Sequence, residues 1–196
     1  MTRISKLDPE QWDPELRKLT RADTATPLEQ GLMRMFAHRA ELAKGMIQFA
    51  GALKVHRALP ERLVELVRLR VAFRNQCRSC MAIRYRDAVA DGVTEALVCS
   101  LEKPAQADDL TAAERCAIDY ADRFADDHLS IDAATYDALK GHFSEGEIIE
   151  LGMTVAFFVG FGRLAATLDM TEELPTAFQD HSRTLTPWRE ESIMVR

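Results

Sequence analysis

Along this chain apolar residues recur three and four positions apart, and no alternating stretch flanked by hairpin turns interrupts that rhythm, the mark of amphipathic helices. Residues 28–39 and 40–57 form two such stretches. Leu28, Leu32, Met35 and Phe36 share one stripe, and Leu42, Met46, Phe49 and Leu53 share the next. Pro60 then opens a third helix at its first turn. That helix, "PERLVELVRLRVAFRNQ", carries Leu63, Val64, Leu66, Val67, Val71 and Phe73 around most of its circumference, so it should be largely buried, with Glu65 inside the run. Asn75 can cap a fourth helix from about Gln76 to Asp91, which Gly92 would end in a left-handed conformation. Thr94 starts a short helix to about Leu101, and "EKPAQADD" is a loop. "TAAE" at Thr111–Glu114 and "SEGE" at Ser144–Glu147 are capping boxes, and Asp132 caps a short helix between them. The second box launches a long apolar helix to about Met170, whose Gly152 and Gly160 would let another backbone approach closely. The expectation is an all-α fold with an irregular segment over 1–27, a helical domain over 28–170 and a polar tail or arm over 171–196.

Length adds that 196 residues and 22.1 kDa suit one domain. A hydrophobic share of 47% and a charged share of 29% are ordinary for a globular protein. The net charge of -6 and pI near 5.4, with no basic cluster, argue against nucleic acid and anionic membrane as partners. The first residues, "MTRISKLDPEQWDPELRKL", lack the apolar core of a signal or anchor, so a cytoplasmic address is the default expectation. The longest apolar run, Leu151–Gly162, spans 12 residues, short of the roughly 20 a bilayer needs, and reads as a buried core helix.

The chemistry concentrates in "CRSCMAIR". Cys77 and Cys80 are two of only four cysteines, and in a reducing cytoplasm such a pair suggests catalysis, redox sensing or metal. On one helix the two share a face, with Cβ atoms about 5–6 Å apart. A disulfide needs about 3.8 Å, a modest adjustment in a terminal turn. The helix N-terminus and Arg84, one turn beyond Cys80, would both favour thiolate. A thiolate can attack a peroxide oxygen, and its neighbour can convert the sulfenic acid to a disulfide. Two plainer readings stand beside this one: a pair of small buried residues, and half of a zinc site. Zinc would need further ligands, but Cys99 and Cys116 are isolated on other predicted helices and none of the five histidines falls at ligand spacing. Cys99 and Cys116 read as packing residues. Glu65 either pairs with Arg68 at i+3 or points at the thiols as a general base, and spacing favours the ion pair. Arg84 either holds a thiolate or pairs with Asp87 at i+3. Tyr85 falls on another helix face.

With Glu65, eleven residues, Cys77, two residues and Cys80 in place, the chain resembles the carboxymuconolactone decarboxylase and alkylhydroperoxidase D family. The likeness covers about residues 28–170, including "HRAELAKGMIQFAGAL" and "FSEGEIIELGMTVAFFVGFGRLAATLDM". It implies an alkylhydroperoxidase D-like helical bundle that assembles as a homo-oligomer, a trimer or hexamer, with the thiol site near subunit contacts. It implies that Cys80 attacks a hydroperoxide, Cys77 resolves, and Glu65 draws the proton from the thiol. No metal or organic cofactor is implied, only an external thiol reductant. One position departs: the family's redox pattern continues Cys-x3-His, and here that residue is Arg84. Arginine stays charged and cannot relay a proton, but it can hold a thiolate or bind an anionic group.

The leading expectation is a thiol-dependent peroxidase cycling through a Cys77–Cys80 disulfide. A second is a decarboxylase-like lyase with Arg84 on the substrate carboxylate, although the decarboxylases of the family generally lack the thiol pair. A third is a non-catalytic redox-sensing oligomer. Phe157, Phe158 and Phe161 could line an apolar substrate pocket, with core packing the plainer role.

Overall fold

The computed structural model describes residues 2–182, 184–186 and 193–195. In chain order its helices are α1 (Pro14–Leu19), α2 (Pro27–Gln30), α3 (Met33–Phe36), α4 (Ala40–Val55), α5 (Glu61–Arg74), α6 (Arg78–Ala82), α7 (Arg86–Ala90), α8 (Glu95–Ser100), α9 (Ala112–Asp126), α10 (Ala133–Lys140), α11 (Glu145–Leu168) and α12 (Thr176–Gln179). The fold is all-α. Among the described residues its one sheet is a parallel pair of three-residue strands, β1 (Ile83–Tyr85) and β2 (Ile193–Val195).

The core forms where α5 lies between α9 and α11. Leu66, Val67 and Leu69 of α5, Ala117 and Ala121 of α9, and Leu151 and Val155 of α11 are all sealed from solvent. Helix α5 is buried around its circumference, and that includes Glu65, Arg68 and Arg70 at 3%, 3% and 6% exposure. Buried charges must be paired. Arg70 takes both carboxylate oxygens of Asp122 on α9 at 2.7 Å and donates to the Leu101 carbonyl at 2.6 Å. Glu65 pairs with Arg68.

Local punctuation mostly falls where the sequence places it, Asn75 excepted, which closes α5 and does not cap the helix after it. Thr111/Glu114 and Ser144/Glu147 form reciprocal capping boxes, Asp132 caps α10, and Thr94 caps α8. Gly92 ends α7 at φ 88°. Helix α11 is long and apolar enough to cross a bilayer by length and composition, longer than its 12-residue apolar run suggests. Here its inner face is spent on α5 and α9.

Four expectations need correction. The stretch 28–39 is not one helix: Gly31 at φ 50° splits it into α2 and α3. The segment 1–27 is not irregular throughout, because Trp12, Leu16 and Ala22 form a small core with Ala37 and Ala43, and Lys44 of α4 binds Glu15 at 2.8 Å and Glu41 at 2.6 Å. The stripe expected inward on 40–57 faces partly outward, with Leu42 65% and Phe49 42% exposed. The backbone approach expected at Gly152 and Gly160 is instead an approach of side chains at Gly152 and Gly162, where a Cβ would stand 3.2 Å from the Tyr120 hydroxyl and 2.7 Å from Nδ2 of Asn75, while nothing lies within 4 Å of one at Gly160.

Candidate functional site

Helix α5 does not run on into the cysteine segment. Gln76 adopts φ 49°, its N–H bonds back to the Phe73 carbonyl and the N–H of Cys77 to the Ala72 carbonyl, both at 3.1 Å. This pattern closes a helix with a left-handed residue. Glycine is the usual occupant of such a position; the side chain of Gln76 is instead anchored, donating to the Leu185 carbonyl at 3.1 Å and accepting from the Leu185 N–H at 2.9 Å. Cys77 is therefore the N-cap of α6, one residue outside the helix, and not within a first turn.

The helix expected over 76–91 is broken after Ala82. In a continuing helix the carbonyls of Cys80, Met81 and Ile83 would accept from N–H groups four residues on. Two arginines take them instead. Arg68 donates to the Cys80 and Ile83 carbonyls, both at 2.8 Å, and Arg84 donates to Met81 at 2.6 Å and to Ile83 at 2.9 Å. Residues 83–85 turn extended and pair with 193–195 of the C-terminal arm. That arm packs Leu174, Phe178 and Leu185 against Met81 and Ala82, so the tail is a cover for the cysteine helix.

Cys77 and Cys80 are joined, with S–S 2.06 Å. Cys77 is fully buried, its sulfur 3.6 Å from the Ser79 hydroxyl. Cys80 is half-buried and lines a cavity of about 570 Å³. The cavity's apolar wall includes Leu28, Met33, Phe36, Met46, Phe157 and Phe161. Phe157 and Phe161, at ring-centroid separation 4.9 Å, form part of that wall; Phe158 lines it too and also packs on the main core.

Arg68 supplies the buried cation beside Cys80. Its Nε and Nη2 meet the two Glu65 oxygens at 2.6 and 2.7 Å, and its guanidinium carbon lies 4.9 Å from the ring centre of Tyr85. Burial works against the charge of Arg68, but the Glu65 carboxylate and its hydrogen bonds outweigh it and hold the guanidinium pKa above its ordinary value. Arg68 and Tyr85 both line the cavity. The break after Ala82 turns Arg84 elsewhere: 2% exposed, it meets Glu95 at 2.9 Å, while Asp87, its expected partner, binds Lys54 at 2.7 Å. The Glu65–Arg68 pair expected from spacing is present, and both partners are buried. Sequence reasoning missed the importance of Arg68, and the available signal was its i+3 spacing to Glu65 on a helix whose apolar residues run around most of its circumference. Among the described residues no group of three or more histidine, cysteine or acidic side chains could hold a metal.

Residues 40–123 match the carboxymuconolactone decarboxylase family, so the resemblance carried by Glu65, Cys77 and Cys80 holds over that segment. Two uncharacterized Mycobacterium tuberculosis proteins, from strains CDC 1551 and H37Rv, are each 32% identical over 117 residues, which is 58% of this chain and 40% of theirs. This chain thus spans well under half the length of those relatives. In structure it is similar to an uncharacterized peroxidase-related protein with an alkylhydroperoxidase AhpD core from Ralstonia eutropha JMP134, at TM-score 0.71 and 18% identity, covering 91% of this chain and 94% of that one. It is also similar to a protein of unknown function from Agrobacterium tumefaciens, provisionally assigned as an antioxidant defence protein of the AhpD type, at TM-score 0.61 and 17% identity, covering 71% and 96%. At these identities the likeness establishes a shared fold.

Proposed function

We propose that the chain, with the family's Glu-x11-Cys-x2-Cys pattern on an AhpD-like fold, is a thiol-dependent peroxidase acting on organic hydroperoxides through the Cys77–Cys80 pair. One observation carries this reading: Cys80 stands on the wall of an apolar cavity, with a buried guanidinium alongside and Cys77 bonded to it.

In the reduced enzyme the Cys80 thiol loses its proton, and the thiolate gives an electron pair to the terminal peroxide oxygen. The O–O bond breaks, the alkoxide takes a proton and leaves as the alcohol, and Cys80 becomes a sulfenic acid. The Cys77 thiolate then attacks that sulfur; hydroxide leaves, takes up a proton and departs as water, and the disulfide forms. An external dithiol reduces the pair and is itself oxidised to a disulfide.

Cys80 is the attacker because a substrate in the cavity reaches it and not the sealed Cys77. The competing helix-dipole case for Cys77 weakens, since α6 has only five residues and the effect needs a run of aligned peptides. Arg68 favours the thiolate electrostatically. With both oxygens bound to Arg68, Glu65 positions the guanidinium in this disulfide state, and taking up the thiol proton would weaken that pairing. Arg84, off the cavity wall, is assigned to holding the break after Ala82, which also withdraws its support from the lyase reading. The outward apolar stripe of Leu42, Phe49, Ile149 and Met153 fits contact with further copies of the chain, consistent with a homo-oligomer.

The test is consumption of cumene hydroperoxide by the purified protein with and without a dithiol. Turnover that needs dithiol and vanishes in Cys80→Ser supports the reading. Inertness accompanied by a change of oligomer size on oxidation would replace it with a redox sensor.

A further inference from the structure

The cavity takes its reactive residues and its exposed cation from different parts of the chain. Cys80, Arg68 and Tyr85 of its lining lie within the family-matched segment 40–123. Much of the remaining wall comes from residues 20–36, outside that segment, including Arg21, Leu28, Met33 and Phe36. Two residues of this wall have positive φ, Arg21 at 53° and Gly31 at 50°. A non-glycine left-handed residue costs free energy and persists where the surroundings impose it, often at ligand clamps.

Three charged side chains line the cavity: Arg21, Glu29 and Arg68. Arg68 already has a carboxylate partner in Glu65. Glu29 caps α2, accepting from the Thr26 N–H at 2.9 Å and hydroxyl at 3.2 Å. Arg21 is exposed, and among the described residues its guanidinium has no ion-pair or hydrogen-bond partner. The rest of the lining is largely apolar, with Leu, Met and Phe side chains among it. A ligand matched to these features carries an apolar body and one anionic end, and 570 Å³ falls in the range of roughly 300–1,000 Å³ typical of small-molecule sites.

We propose that the cavity binds amphipathic monocarboxylates, of the fatty-acid type, with the chain against Met46, Phe157 and Phe161 and the carboxylate on Arg21. On the peroxidase reading, the substrate class is accordingly a fatty-acid hydroperoxide, with its peroxide carried along the chain and directed to Cys80. Selectivity then resides in the N-terminal segment, and the chemistry in the family-matched one.

The test is titration calorimetry on the full chain, with the disulfide intact, using dodecanoate and dodecan-1-ol as probes. Dodecanoate is expected to bind about tenfold more tightly than the alcohol, the equivalent of roughly 1.4 kcal/mol. Arg21→Gln, which retains a long side chain at the same backbone position, is expected to abolish that preference and leave alcohol binding unchanged. Ala50→Trp, which fills the cavity from α4, is expected to remove both. Equal binding of the two probes, an unaltered preference in Arg21→Gln, undiminished binding to Ala50→Trp, or no binding at all overturns the proposal. Because binding is read without turnover, a protein that holds dodecanoate but never consumes cumene hydroperoxide would sink only the enzymatic reading, and the converse result only this one.

Discussion

Arg68 reaches from the middle of α5 to the backbone of Cys80, its Nη1 donating to the Cys80 carbonyl at 2.8 Å while Nε and Nη2 grip Glu65. One side chain thus joins the buried carboxylate, the cysteine helix and the cavity wall, and it shapes several expected outcomes.

Arg68→Ala leaves Glu65 charged and unpartnered in the core, and a loss of roughly 3–5 kcal/mol in urea unfolding is expected. The double variant Glu65→Leu/Arg68→Met should recover much of that loss while leaving the thiol pair slow to react. A double variant as reactive as the parent would remove the ion pair from the chemistry.

Sulfenic acid trapping distinguishes attacker from resolver. Cys77→Ser, which keeps Cys80, should be labelled by a sulfenic-acid probe after one equivalent of cumene hydroperoxide, and Cys80→Ser should remain unlabelled. The reverse pattern would make Cys77 the attacker despite its burial.

Arg84 tests whether the departure from the family histidine matters electrically or structurally. Arg84→Ala removes the donors to the Met81 and Ile83 carbonyls, so a stability loss of about 2–3 kcal/mol is expected, with little movement in the pH profile of thiol alkylation. A large upward shift of that profile would return Arg84 to the site.

Asp122 links α9 to Arg70 and Arg74 of α5. Burial raises its pKa, but the two guanidinium groups more than compensate, so it is held below the ordinary carboxylate range. A depressed folded-state pKa stabilises above the unfolded value, near pH 4, and the benefit fades as pH falls through the folded value. Asp122→Asn should therefore cost roughly 3 kcal/mol at pH 7 and less at pH 3, as read by urea unfolding at both. An equal loss at the two values would contradict the assignment.

Two glycines of α11 should respond oppositely to alanine. At Gly162 a Cβ would meet Asn75, whose amide donates to the Phe158 and Val159 carbonyls, and a loss of about 1–3 kcal/mol is expected. At Gly160 the space is open within one chain, so alanine should raise Tm by helix propensity, about 0.5–1 kcal/mol. A lower Tm for Gly160→Ala would instead point to another copy seated there.

The sequence by itself determined what depends on neighbours a few residues away. Helical periodicity, the capping boxes at Thr111 and Ser144, the N-caps at Thr94 and Asp132 and the left-handed Gly92 are local, because a turn of helix closes over four residues. The Glu65–Arg68 pair and the proximity of Cys77 to Cys80 follow from the same short spacing. Only the tertiary structure decided the rest. Whether residues 76–91 formed one helix turned on Arg68, Arg84 and the arm at 193–195, which compete for carbonyls that local propensity would have given to the helix. That break turned Arg84 toward Glu95 and left Tyr85 on the cavity wall. The cavity itself joins residues 20–36, α4, the cysteine helix and α11, and spacing along the chain carries no record of which distant side chains meet around an empty space.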